Sequence, residues 1–118
     1  IAIWDCLGRA LGKPIHKLLG GAYRSRVQPY ATGFYRLQDG HYPADAVAEA
    51  RRHLEQGFSA MKLKIGFGLD EDIAYVHAVR DAIGPAPKLM VDANHAYNVG
   101  AARRLLKALE PAQIHWFE

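Results

Sequence analysis

Lys62 and Lys64 alternate with Met61, Leu63 and Ile65 in the run Ala60-Met61-Lys62-Leu63-Lys64-Ile65-Gly66. In a β-strand, alternate side chains leave opposite faces, so both ammonium groups project the same way, ~6–7 Å apart along the chain. Two like charges side by side on an otherwise apolar strand are costly, and an anionic partner opposite them offsets that cost. An edge strand that uses lysines to discourage aggregation is the alternative. The run Lys88-Leu89-Met90-Val91-Asp92-Ala93-Asn94 repeats the alternation, with Asp92 and Asn94 on one face and Leu89, Val91 and Ala93 on the other. In Ile114-His115-Trp116-Phe117-Glu118, Glu118 shares its face with Ile114 and Trp116. All of these runs end in polar groups of a single parity.

Asp92 and Glu118 would offer oxygen ligands to a hard divalent cation, and two carboxylates with no Cys or His in the set favour Mg²⁺ over zinc. They do not fill an octahedron, so water, substrate and at least one further carboxylate are required. A cation next to two lysines suits removal of a proton α to a carboxylate, because the dianionic enediolate needs concentrated positive charge. One lysine must be neutral to act as the base, and a nearby cation and partial desolvation both lower its pKa.

The elements that must position these groups read as alternating helices and strands. Ile1, Trp4, Leu7 and Leu11 recur at helical spacing, with Trp4 expected in a core and Asp5 as a structural hydrogen-bond partner. Gly12-Lys13-Pro14 breaks that helix, and a short second one runs to Leu19 before Gly20-Gly21. Val27 to Thr32 is a weaker strand, because Pro29 removes a ladder donor. The loop from Gly33 to Tyr42 is long enough to overhang a site. Helices are expected over 44–56, from Asp70 to Ile83, and from Gly100 to Glu110. Their stripes are Ile73, Val76, Val79, Ile83 and then Leu105, Leu106, Leu109, with Asn98 as the last helix's N-cap. Asp70-Glu71-Asp72 complements the dipole of its helix. Each strand follows a helix, so the strands run parallel, and the carboxyl ends of parallel strands converge on active sites.

The chain of 118 residues, half of them hydrophobic, has material for one core. A net charge of +3 without a basic stripe gives no expectation of nucleic-acid binding, and no run spans a membrane. The single Cys6 excludes a disulfide framework, is expected to pack as a small hydrophobe, and makes the reducing cytoplasm the default compartment. The six histidines show no metal-ligand spacing; His95 could reach a ligand, and His115 is expected to pack under a helix. The abrupt start in a helix and the stop at Glu118 suggest part of a longer protein.

The motifs Lys62-Leu63-Lys64, Asp92-Ala93-Asn94 and Trp116-Phe117-Glu118 resemble the K-x-K, D-x-N and W-[IF]-E strand ends of the mandelate racemase/muconate lactonising branch of the enolase superfamily. Trp4-Asp5-Cys6-Leu7-Gly8 with Leu18-Leu19-Gly20-Gly21 is similar to the helix leading from that family's capping domain into its barrel. The resemblance implies an α/β fold. Residues 1–21 would be a helical connection from an N-terminal capping domain, and residues 22–118 the first half of a (β/α)₈ TIM barrel. It implies Lys64 as base and Lys62 as its cationic neighbour on the substrate carboxylate. Asp92 and Glu118 would be the first two ligands of Mg²⁺. Asn94 and Thr32 would contact the substrate. A third metal ligand and an opposing acid or base would lie beyond Glu118. The D-x-H variant of mannonate-dehydratase-like members is absent, since Asn94 stands there and His95 is one residue off.

The first expectation is dehydration of an acid sugar or other small carboxylate by a lyase that is a homo-oligomer when full length. A racemase, epimerase or cycloisomerase of the same family is the second, and a non-catalytic module binding a polyanion through Lys62 and Lys64 the third. Half a barrel leaves two sheet edges unpaired and Met90, Ile114 and Trp116 uncovered. The chain by itself is therefore expected to be unstable, to aggregate or to pair with another half-barrel, and to show no turnover.

Overall fold

A computed structural model describes residues 1–118. Its elements are α1 (Ala2–Leu11), α2 (Ile15–Leu18), β1 (Ala31–Thr32), α3 (Ala44–Glu55), β2 (Ala60–Lys64), α4 (Leu69–Ile83), β3 (Lys88–Asp92), α5 (Val99–Ala108) and β4 (Trp116–Phe117). A short 3₁₀ turn, Glu110–Ala112, absorbs Pro111 before β4. The four strands form one parallel sheet in the order β1-β2-β3-β4, each neighbour reached through a helical crossover. This is the arrangement expected of part of a (β/α)₈ barrel.

Register aligns the alternating runs. Lys62 pairs with Thr32 on one side and Met90 on the other, Lys64 pairs with Asp92, and Met90 pairs with Trp116. Paired residues of parallel strands project to the same side, so the polar strand ends share one face. The opposite face carries Met61, Leu63, Ile65, Leu89, Val91 and Ala93, all buried in one apolar cluster with Val76 and Val79 of α4 and Leu105 of α5. Ala46 and Ala50, small residues on α3, complete it at close approach. Asn98 caps α5 as expected, its side-chain oxygen accepting from Ala101 N at 2.9 Å.

Several expectations fail on burial. Leu105 and Leu109 face the sheet, but Leu106 is 40% exposed, because the stripe that α5 turns inward is narrower than its run of leucines. Trp4 is 41% exposed and Cys6 is also exposed. The reason is that α1, whose C-terminal turn is closed by Lys13 N donating to Gly8 O at 2.9 Å, contributes nothing to the apolar cluster on the sheet, and of its residues only Gly8 is buried. Asp5 does find a partner, Arg9, at 3.0 Å. His115 is exposed beside Trp116 instead of lying under a helix. The outer strands shrink to Ala31–Thr32 and Trp116–Phe117, since each has only one neighbour to ladder with. Met90, expected to be uncovered, is 1% exposed: it sits in register between Lys62 and Trp116, whose side chains bracket it.

Candidate active site

The inward face of β2 and β3 ends in a compact charge cluster. Lys62 Nζ donates to Asp92 Oδ2 at 3.2 Å and to Glu118 Oε2 at 2.7 Å. Lys64 Nζ donates to the same Asp92 oxygen at 2.6 Å and to Asn94 Oδ1 at 3.1 Å. Asp92 Oδ1 accepts from the Asn94 backbone amide at 3.0 Å. Five of the residues singled out by strand parity therefore meet in one hydrogen-bonded group. Thr32 shares their face through its pairing with Lys62, but it stands on the edge strand and its hydroxyl bonds to none of them. His95, next to Asn94 in the turn, is exposed.

Strand register explains why the cluster closes. Lys64 and Asp92 are direct partners across the β2–β3 ladder, so a long ammonium stem reaches the neighbouring carboxylate without leaving the face. Glu118 follows β4 and is tied to the sheet by its own amide, which donates to Val91 O at 2.8 Å. Lys62 sits deeper, 8% exposed, with its Nζ 5.9 Å from the centroid of the Tyr30 ring.

The charges set each other's protonation. The hydrogen bond to Glu118 holds the Lys62 ammonium above its usual range, against the opposing effect of burial, and Asp92 adds to it. Burial by itself would raise the Asp92 carboxyl, but Lys64, the Asn94 amide and Lys62 together bring it down to about 2. Two cations facing two carboxylates are formally neutral, which offsets much of the desolvation that burial imposes.

Asp92 and Glu118 fit a hard divalent cation as two carboxylate ligands that converge within reach of one Lys62 nitrogen. They do not complete its shell: no group of three or more His, Cys, Asp or Glu side chains is placed to hold a metal.

Loops shape the approach to Lys64. A cleft of about 470 Å³ is lined by Tyr35, Arg36, Lys64, Gly66, Phe67 and Asn94, among others. The long loop after β1 does overhang the site. Arg36 was not singled out from the sequence, yet its guanidinium lies 3.8 Å from the Phe67 ring centroid and pairs with Glu71 at 2.6 Å. The sequence signal was only an arginine in a long loop. Asp72, expected to serve the helix dipole, is instead fully buried and bonded to the loop between β2 and α4.

Residues 45–118 match the family described as enolase C-terminal domain-like. The chain is 43% identical over its whole length to the D-galactarolactone cycloisomerase of Agrobacterium fabrum, of which it covers 31%. It is 37% identical over 99% of its length to the arabinonate dehydratase of Saccharolobus solfataricus, again covering 31% of that protein. Among solved structures, a racemase from Streptomyces coelicolor with bound magnesium superimposes with a TM-score of 0.80 at 41% identity, over 98% of this chain and 34% of that one. The chain thus spans about a third of the length of the curated relatives it matches. None of its helices is long and apolar enough to cross a membrane.

Proposed function

The chain belongs to the enolase C-terminal domain-like family, and on that premise we propose that its strand ends carry part of a site that removes the proton α to a carboxylate of an acid sugar. The observation that carries this reading is the convergence of Lys62, Lys64, Asp92, Asn94 and Glu118 on one face at the carboxyl ends of parallel strands. In this reading residues 22–118 form the first half of a (β/α)₈ barrel, and residues 1–21 lead into it.

Lys64 is the base. It lies at the outer end of the cluster, lines the cleft and is the less buried of the two lysines. Lys62, deeper and kept protonated by Glu118 and Asp92, supplies fixed positive charge for the substrate carboxylate. Asp92 and Glu118 would hold Mg²⁺, which when bound supplies further positive charge for the oxygens that gain it. Asn94 orients Lys64 through its side-chain oxygen and offers its amide group to substrate hydroxyls. Thr32 faces the same space from β1. The C–H electron pair enters the enediolate as Lys64 takes the proton. It then expels the β-substituent, hydroxide leaving as water once an acid protonates it, and the resulting enol takes a proton at C3 and loses that of its hydroxyl to give a 2-keto-3-deoxy acid.

Dehydration is the first reading. Cycloisomerisation is favoured by the 43% identity to a lactone cycloisomerase. The same α-proton removal serves both, because in a lactone or anhydro acid the β-oxygen belongs to the ring and its departure loses no water. A polyanion-binding module fits less well, since both ammonium groups are already held by internal carboxylates.

The test is deuterium incorporation from D₂O, followed by mass spectrometry in the complete protein with Mg²⁺ and a panel of acid sugars and their lactones. Lys64→Ala is expected to lower α-proton exchange by about 10²–10⁴-fold while Mg²⁺ still binds. A product lighter by one water identifies dehydration, and an isomeric product identifies cycloisomerisation. Near-normal exchange in the variant removes Lys64 from the role of base.

A further inference from the structure

We infer that Asp72 and Tyr97 are positioning residues that lock the loop after Lys64 against the turn that carries Asn94. That these loops flank a base and its orienting amide rests on the reading above; the linkage itself rests on contacts alone.

Asp72 lies four residues beyond Gly68, the N-cap of α4, and is fully buried. Its carboxylate does not serve the free amides of its own helix. Instead it reaches back out of the helix, where Oδ2 accepts from Gly66 N at 2.7 Å and Oδ1 from Phe67 N at 3.4 Å. A third donor comes from the other loop: Tyr97 OH donates to Asp72 Oδ2 at 2.5 Å. The same hydroxyl accepts from Gly68 N at 3.1 Å. The three successive amides of Gly66, Phe67 and Gly68, in the loop between β2 and α4, are thus referred to one buried carboxylate and one tyrosine from beyond β3.

Burying an ionised carboxylate is expensive unless its oxygens are fully bonded, and a helix that needed only a favourable first turn has cheaper residues available. The donors explain how the burial is tolerated. Burial and the bond to Asp72 push the Tyr97 phenol up to about 12, so this link is intact throughout the neutral range.

The two loops also touch sterically. Gly66 has φ +110°, and a Cβ there would meet Ala93 O and Ala96 Cβ, each at 2.8 Å. Its partner turn is closed by Ala96 N donating to Ala93 O at 2.9 Å, and it holds Asn94 and His95 at positive φ. A shift of either loop therefore moves the other. Lys64 immediately precedes the first loop segment and Asn94 lies in the second, so their 3.1 Å contact depends on the shared register.

The experiment reads each variant at the loop it does not occupy, by amide hydrogen exchange in the complete protein. Asp72→Asn is read over residues 94–96 and Tyr97→Phe over residues 65–67. Loss of a hydrogen bond to a charged group is expected to speed exchange in the opposite loop about tenfold, with α3 unchanged. Faster exchange confined to the substituted residue's own loop overturns the linkage. Should Asp72→Asn not fold, Tyr97→Phe decides alone. In the same variants the kcat for α-proton exchange is expected to fall about tenfold with KM within about twofold. Val79→Ala, a core truncation away from both loops, sets the effect of lost stability by itself. A kcat loss in Tyr97→Phe no larger than in Val79→Ala overturns the positioning role. A wild-type protein that exchanges no α-proton refutes the proposed reaction, whereas the amide readout still decides the linkage.

Discussion

The two faces of β2 and β3 are built from alternate residues of the same runs, yet they are stabilised in opposite ways. On the helix side, Met61, Leu63, Leu89 and Val91 are fully buried and gain by removing apolar surface from water. On the other side, Lys62, Lys64 and Asp92 are held by mutual charge, with Glu118 added from the next strand. Apolar burial is tolerant: any side chain of suitable volume contributes. The charged face is exacting, because removing one partner strands the others in a desolvated place. One face is thus suited to holding the sheet together and the other to holding reactive groups ready.

The sharpest test of that division substitutes neighbours in sequence. Leu63→Ala is expected to lower stability by about 2–5 kcal/mol, because it removes a side chain with no exposure from the centre of the cluster. Urea unfolding against Lys64→Ala, where a smaller loss is expected because Lys62 still pairs with Asp92 and the site of Lys64 opens to the cleft, measures the difference. Equal losses would mean that the two faces share one structural role.

Acid titration probes the charged face by itself. Asp92 titrates at about 2 in the folded chain against an ordinary 3.8. Its contribution, roughly 2 kcal/mol, is complete above the ordinary value and disappears as pH falls through that window. Unfolding free energy followed over this range should show the decline in the wild type and lack it in Asp92→Asn. A decline of the same size in the variant assigns acid sensitivity to other carboxylates.

Glu118→Gln, in the complete protein, sharpens the comparison at the pair of carboxylates proposed to hold Mg²⁺. Its carboxylate is the more exposed of the pair, so little stability is at stake, and the expected effect is a weakened Mg²⁺ dependence of activity. Titrating activity against Mg²⁺ measures it, and an unchanged midpoint would leave Glu118 as a partner of Lys62 only.

The smallest effect is expected at α1. Trp4→Ala should change the stability of this chain by less than about 0.5 kcal/mol, since the residue is 41% exposed and stands outside the apolar cluster on the sheet. A loss comparable to Leu63→Ala would show that α1 packs on the apolar cluster in solution.

The strand ends were legible from the sequence because side-chain parity is a local property of an extended backbone. Once Lys62 and Lys64 alternate with Met61 and Leu63, no tertiary contact is needed to place them on one face. The same argument covers Asp92 and Glu118, and the helical crossovers make the strands parallel, whereas Asn94 lies past the end of β3 at φ 45° and reaches Lys64 through the turn. What parity leaves open is distance across strands. That Lys62 bridges Asp92 and Glu118, while Lys64 takes Asp92 and Asn94, follows from ladder register, which joins residues about 28 to 56 positions apart. Burial was the least legible. A tryptophan at helical spacing has an apolar side, but only the placement of α1 away from the apolar cluster decides that Trp4 meets solvent, and only flanking side chains decide that Met90 does not. Asp72 looked like a dipole complement because its position in the helix is local information. Its donors, Gly66 and Tyr97, come from the loop that leads into its own helix and from the turn after β3, which only the folded sheet sets side by side.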